Sequence, residues 1–180
     1  MAETLTRRSP LQDFASRFVA TPAAARIAEE PFVTMVDLWM EPAGAGQAAV
    51  AGVLGADCSV IWFGPQESLV TSTVRAGEEL EAALREAVAE HGGAAVDVSA
   101  QRTTLRLTGA RARDVLAKGC SLDLHPVAFG PGSSAQTMLG HAAVVLVPLA
   151  DDGTDFRILV RASFASYLAE WLLDATLEYR

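Results

Sequence analysis

Cys120, Ser121 and His125 lie close enough in the chain to suggest a thiol or hydroxyl nucleophile with an imidazole base. A cysteine attacks as its thiolate, however, and Cys120 follows the end of a predicted helix. Partial negative charge there raises a thiol pKa, so packing is the better reading of Cys120. Asp97 and Ser99 end a predicted strand, where an Asp either meets a ligand or hydrogen-bonds its own backbone to finish the strand. The run Gly130-Pro131-Gly132-Ser133 has the glycine content of a phosphate-cradling loop. No Lys-Ser/Thr pair follows it and no helix starts there, so it reads as a plain loop. His91, His125 and His141 have no metal-motif spacing, leaving only a site assembled in space. Cys58 and Cys120 form no Cys-x-x-Cys pair and are expected to be reduced, buried side chains. Asp151-Asp152-Gly153 is a solvated turn. No catalytic, cofactor-binding or metal-binding residue is assigned from these patterns.

Composition narrows the function further. The 180 residues carry a net charge of −8, and Lys118 is the only lysine. Phosphate contact needs clustered basic residues, so no nucleic-acid partner is expected. A polybasic membrane anchor is excluded on the same ground. No apolar run reaches the ~18–20 residues of a membrane span. Arg7-Arg8 resembles a twin-arginine pair, but Gln12-Asp13 follow and no apolar core develops, so a cytoplasmic protein is expected. A hydrophobic content of 51% is ample for a core.

The elements that would position these residues follow from periodicity. Ser9-Pro10-Leu11-Gln12 carries a helix start signal, and Leu11, Phe14, Ala15 and Phe18 then share one face. Thr21-Pro22 repeats the start signal and opens a second short helix over residues 22–29. The domain organisation expected is an N-terminal helical arm, residues 1–30, before a single body, residues 31–180. Helices this short are marginal alone, so the Phe face must dock on this body or on another subunit. Strands are predicted over 32–40, 59–63, 68–72, 95–98, 103–107, 141–149 and 156–161. Residues 43–56 remain loop or loose helix. Pro148 suggests that 141–149 lies at a sheet edge or ends there. Helices are predicted over 77–91, with Leu80, Ala83, Leu84, Ala87 and Val88 as its buried stripe, from 109 to 118, and after Ser163. Paired strands followed by helices indicate an α+β fold, an antiparallel or mixed sheet with helices packed on it.

The stretch Val96-Asp97-Val98-Ser99 through Leu105-Arg106-Leu107-Thr108-Gly109 resembles the aminomethyltransferase superfamily, which includes the glycine-cleavage T-protein and its folate-binding relatives. A narrower resemblance follows, running from Ala112 to Pro126 through Lys118-Gly119-Cys120. It continues in Phe129-x-Pro131-Gly132, in Ala135-Gln136-Thr137 and in Val160-Arg161-x-Ser163-Phe164-Ala165-x-Tyr167-Leu168 with Trp171-Leu172. Together with Arg8-Ser9-Pro10-Leu11, these residues are similar to the gamma subunit family of heterotetrameric sarcosine oxidase.

The resemblance implies a shortened relative of the aminomethyltransferase folate-binding domain. It implies a non-catalytic gamma subunit that packs on and stabilises an alpha subunit, with beta and delta subunits in the same complex. That complex oxidatively demethylates sarcosine to glycine and passes the one-carbon unit to tetrahydrofolate. FAD, FMN, NAD and tetrahydrofolate belong to partner subunits, and this chain is expected to hold no cofactor. The chain is too short for the complete T-protein folate site, so no folate ligand is carried over, and Asp97 is read as structural. Leu11, Phe14, Phe18 and Trp62 are the candidate partner-interface residues. Two alternatives stay open: a free-standing tetrahydrofolate-binding domain, and a gamma subunit of a related N-methyl amino acid dehydrogenase.

Overall fold

A computed structural model describes residues 6–42 and 44–180. After one 3-10 turn come α1 (Ala15–Val19), β1 (Arg26–Glu30), β2 (Thr34–Trp39), α2 (Ala45–Val53), β3 (Cys58–Trp62), β4 (Glu67–Ser72), α3 (Gly77–Val88) and β5 (Ala94–Asp97). β6 (Arg102–Thr108), α4 (Ala112–Ala117), β7 (Ala135–Leu139), β8 (Ala142–Pro148), β9 (Asp155–Arg161) and α5 (Ala165–Ala175) complete the chain. The fold is α+β and antiparallel, with two sheets in place of the one expected.

The chain divides into two compact units, and the division differs from the arm and body expected. One unit joins the residues up to Pro31 with Thr103–Arg180; the other is Phe32–Arg102. The first unit holds the five-stranded sheet β1-β6-β9-β8-β7, the second the four-stranded sheet β3-β4-β2-β5.

Residues 1–30 are no separate arm because β1 is a strand of the first sheet, pairing antiparallel with β6 with Ile27 opposite Leu107. The helix expected over 22–29 is only a 3-10 turn, Ala23–Ala25. The Thr21 hydroxyl donates to the Phe18 carbonyl (2.6 Å) and accepts from the Ile27 amide (3.0 Å), which turns the chain out of α1 and into β1. The alanine-rich helical tendency of this stretch yields to the ladder hydrogen bonds and the burial of Ile27 that pairing supplies. Leu11 and Phe18 join Leu105, Leu107, Phe156, Ile158, Leu168 and Leu172 in the core of this unit. The face of the first helix thus docks on its own chain.

Strand β7 has no counterpart among the sequence expectations. Its alternation is weak, and the turn joining it to β8 is Gly140-His141, not a strong hairpin signal. Of the two readings of Pro148, a strand at an edge or a strand that ends there, the presence of β7 removes the first and leaves the second. β8 lies between β7 and β9, and Pro148 is tolerated because it is the last residue of the strand.

In the second unit α3 buries Leu80, Leu84 and Val88, each fully, against Val36, Leu38, Val70 and Ala95. Spacing of four residues keeps the three on one face, and full burial of each stabilises by about 1.5–3 kcal/mol. Residues 43–56, left open as loop or loose helix, contain α2, which adds Val50 to this core.

Candidate functional site

The residues with chemical potential are individually committed to the fold. The Cys120 amide bonds the Leu116 carbonyl (3.0 Å), and its half-buried Sγ lies 3.9 Å from Thr137 Oγ1. The hydrogen bonds of His125 lead elsewhere: its amide donates to Asp123 Oδ1 (2.9 Å) and its Nδ1 accepts from the Val127 amide (3.3 Å). Both cysteines are half-buried rather than buried, each packed against the core of its unit. His91 lies against Gly46 of α2, where a Cβ would stand 3.1 Å from the His91 Cβ. The His141 ring is tilted 6.3 Å from that of Tyr167. Among the described residues, no three His, Cys, Asp or Glu side chains converge on a point that would hold a metal ion. Gly130-Pro131-Gly132-Ser133 folds back on itself, with the Ser133 amide and hydroxyl both donating to the Gly130 carbonyl.

The motifs that carry the resemblance build backbone junctions. Asp97 Oδ1 accepts from both the amide (2.8 Å) and the hydroxyl (2.5 Å) of Ser99. Ser99 Oγ in turn accepts the Met35 amide (2.9 Å), which fastens the end of β5 to the start of β2. Asp97 is architectural in this arrangement, and a Cβ on Gly77 would stand 2.2 Å from its Oδ2. At the start of the chain, the Ser9 and Thr103 hydroxyls both donate to Glu29 Oε1, and this ties Arg8-Ser9-Pro10-Leu11 to β1 and β6. Gly109 has a φ of 118° and admits the Ala23–Ala25 turn against β6; its Cβ would stand 2.4 Å from the Ala24 carbonyl oxygen. Lys118 reaches the C-terminus of α5, donating to the Ala175 carbonyl (2.5 Å) and pairing with Glu178, with the Tyr179 ring 4.8 Å away. Gly119 sits under Trp171, whose ring would be 2.5 Å from a Cβ there.

Of the four candidate interface residues, two lie inside. Leu11 is fully buried and Phe18 nearly so, because both complete the core of the first unit. Phe14 is half-buried, stacked on Phe18 with ring centroids 5.9 Å apart and Arg17 over its face at 5.2 Å. Trp62 alone stands on the surface, 62% exposed. It rims a groove of about 310 Å³ in the second unit, between α2 and the strands β2, β3 and β4. Leu38, Met40, Val50 and Leu54 make its floor, Val60 and Trp62 one wall, and Gln47, Gln66 and Ser68 supply its polar atoms. The local signal for this surface was Trp62 with Val60 two residues before it, which places both on one face of β3. The opposing wall comes from α2, whose position no local pattern gives.

No helix among the described residues is long and apolar enough to cross a membrane.

Comparison with known proteins places this architecture. A chain of the heterotetrameric sarcosine oxidase from Corynebacterium sp. U-96, solved in complex with pyrrole 2-carboxylate, superposes with a TM-score of 0.86 over 96% of each chain at 31% identity. The glycine cleavage system aminomethyltransferase T from Bartonella henselae matches at a TM-score of 0.60 and 16% identity. It covers 88% of this chain and 48% of its own, and shows a shared fold. In sequence, the sarcosine oxidase subunit gamma of Corynebacterium sp. strain P-1 is 33% identical over 98% of this chain and 93% of that protein. The family model for sarcosine oxidase, gamma subunit, matches residues 40–178, and with full-length similarity on both sides the chain belongs to the sarcosine oxidase gamma subunit family.

Proposed function

We propose that this chain is a non-catalytic subunit of a sarcosine oxidase complex, packing on and stabilising a larger alpha subunit, with beta and delta subunits completing the assembly. The observation that carries the reading is the extent of the match: similarity covers 98% of this chain and 93% of each of three sarcosine oxidase gamma subunits. The commitment of Asp97, Ser99, Cys120, His125 and Lys118 to backbone junctions supports a structural role. In this reading the FAD, FMN, NAD and tetrahydrofolate sites lie in the partner subunits, and the complex works in the cytoplasm on sarcosine.

Co-expression with the alpha, beta and delta subunits tests the role. The chain is expected to co-purify in equal stoichiometry by native mass spectrometry, and its omission to lower the thermal stability of the remaining complex. A chain that neither co-purifies nor changes that stability overturns the proposal. Tight binding of tetrahydrofolate by the isolated chain, read by calorimetry, would point to a ligand-binding role instead.

A further inference from the structure

β3 is an outer strand of its sheet. It pairs with β4 along one side, from Cys58 opposite Ser72 to Trp62 opposite Ser68, and among the described residues no strand lies on the other. Outer strands are ordinarily protected by charge, proline or a covering element. β1 carries Arg26, Glu29 and Glu30, and β5 ends on Asp97. β7 is uncharged, with one half-exposed apolar side chain, Met138. β3 reads Cys-Ser-Val-Ile-Trp, with no charge and no proline, and leaves Val60 53% and Trp62 62% exposed on one face. The groove described above opens beside those two side chains. Its far wall, α2, carries no charged residue at all, and its outward positions are Ala, Gly and Gln. Unpaired backbone groups next to an apolar groove are the features by which one chain adds a strand to another.

Resting on the subunit role proposed above, we infer that this groove and the free edge of β3 receive an extended segment of the larger partner subunit. The segment adds as a fifth strand beside β3, lays an apolar side chain against Trp62, Val60 and Leu54, and carries a basic residue at its flank. The basic residue follows from charge. Among the described residues that line the groove none is a lysine or arginine, and Glu41, between the lining residues Met40 and Pro42, accepts a hydrogen bond from the lining residue Gln66 (2.6 Å). Charge also decides against a second copy of this chain. Two copies would each bring a net charge of −8 to the contact.

Hydrogen exchange on the full chain, alone and within the co-expressed complex, tests the inference. The backbone amides of residues 59–62 are expected to exchange at least tenfold more slowly in the complex. Trp62→Glu should lower retention of the chain in the complex at least tenfold, and Glu41→Lys severalfold. Val127→Glu, at a position 91% exposed in the first unit, should leave retention unchanged. Urea midpoints of the isolated variants matching wild type would separate lost docking from lost folding. A complex that forms with β3 exchange unaltered and the Trp62→Glu chain retained overturns the groove and leaves the subunit role standing. Failure of the wild-type chain to enter any complex overturns both. A concentration-dependent dimer of the isolated chain with protected β3 amides overturns the assignment to a partner.

Discussion

Gly109→Ala tests whether the junction between the start of the chain and β6 holds the first unit together. Two costs combine at this position. At a φ of 118° an L-residue is strained by about 1–3 kcal/mol. The added Cβ would stand 2.4 Å from the oxygen and 2.5 Å from the carbon of the Ala24 carbonyl, which is backbone and cannot rotate away. That same oxygen accepts the Arg111 amide at 2.7 Å, so moving it strands a donor at about 1–3 kcal/mol. Together they predict a loss of about 4 kcal/mol, a large share of the ~5–15 kcal/mol of a typical domain. In equilibrium urea unfolding followed by far-UV circular dichroism, with m near ~2 kcal/mol/M, the midpoint should fall by about 2 M. Gly132→Ala is the internal control. Its φ is 88° but nothing lies within 4 Å of its Cβ, so it carries strain without the clash. If the two variants lose the same stability, or if Gly109→Ala shifts the midpoint by less than about 0.5 M, the packing of Ala24 on β6 is not a structural determinant.

Three further outcomes are expected. Lys118→Met removes the charged donor at the last carbonyl of α5 and should cost about 1–2 kcal/mol, read as a fall in Tm of about 3 °C or more by calorimetry; an unchanged Tm would refute the clamp. Phe32 has a φ of 61°, unfavourable for a bulky L-residue by about 1–2 kcal/mol, so Phe32→Gly should be more stable than Phe32→Ala by about 1 kcal/mol in urea unfolding, reversing the usual order of the two residues. The carboxyls of Asp57, Asp152 and Glu170 are held below their ordinary pKa by the Ser72 hydroxyl, the Thr154 hydroxyl and the Arg17 guanidinium respectively. The unfolded chain therefore takes up protons first as pH falls, so this stabilisation is complete above the usual carboxylate range and is lost downward from about pH 4. Urea midpoints at pH 6 and pH 3.5 should differ less for Ser72→Ala than for wild type, and an equal difference would refute the Asp57 contribution.

Elements whose partners are local were legible in the sequence. α3 announces itself by Leu80, Leu84 and Val88, and the β3–β4 hairpin by Gly64-Pro65 between two short runs. The α+β class followed from the order of those elements. Distant partners decided the rest. β1 becomes a strand because β6, some eighty residues later, pairs with it, and the same pairing turns the expected arm into part of a core. β7 forms because β8 is there to receive it. The apolar face of Leu11, Phe14 and Phe18 was legible as a docking face, but whether it met its own chain or another depended on Ile27 and Leu105 lying beneath it. At the surface, Trp62 was legible as a candidate, whereas the groove beside it needs α2, a helix without a charged residue and with little pattern.

The residues that carry the family resemblance and the residues of the proposed docking groove are different sets, for a physical reason. Asp97, Ser99, Gly109, Lys118, Gly119 and Trp171 each work at short range against backbone: an accepted amide, an excluded Cβ, a capped carbonyl. Such contacts admit few side chains, so they leave sharp motifs in a sequence. Val60, Trp62, Leu38 and Leu54 contribute apolar area, which many side chains supply about equally well once the volume is filled. A docking surface of that kind leaves a composition instead of a motif. The run from α2 through β3, whose one charged residue is Asp57 in a chain with thirty-six charged side chains, is such a composition. The fold of this subunit is therefore written in its motifs. Its proposed attachment is written in the stretch where charge is sparse, and Trp62→Glu within it and Glu41→Lys beside it put that reading to the test.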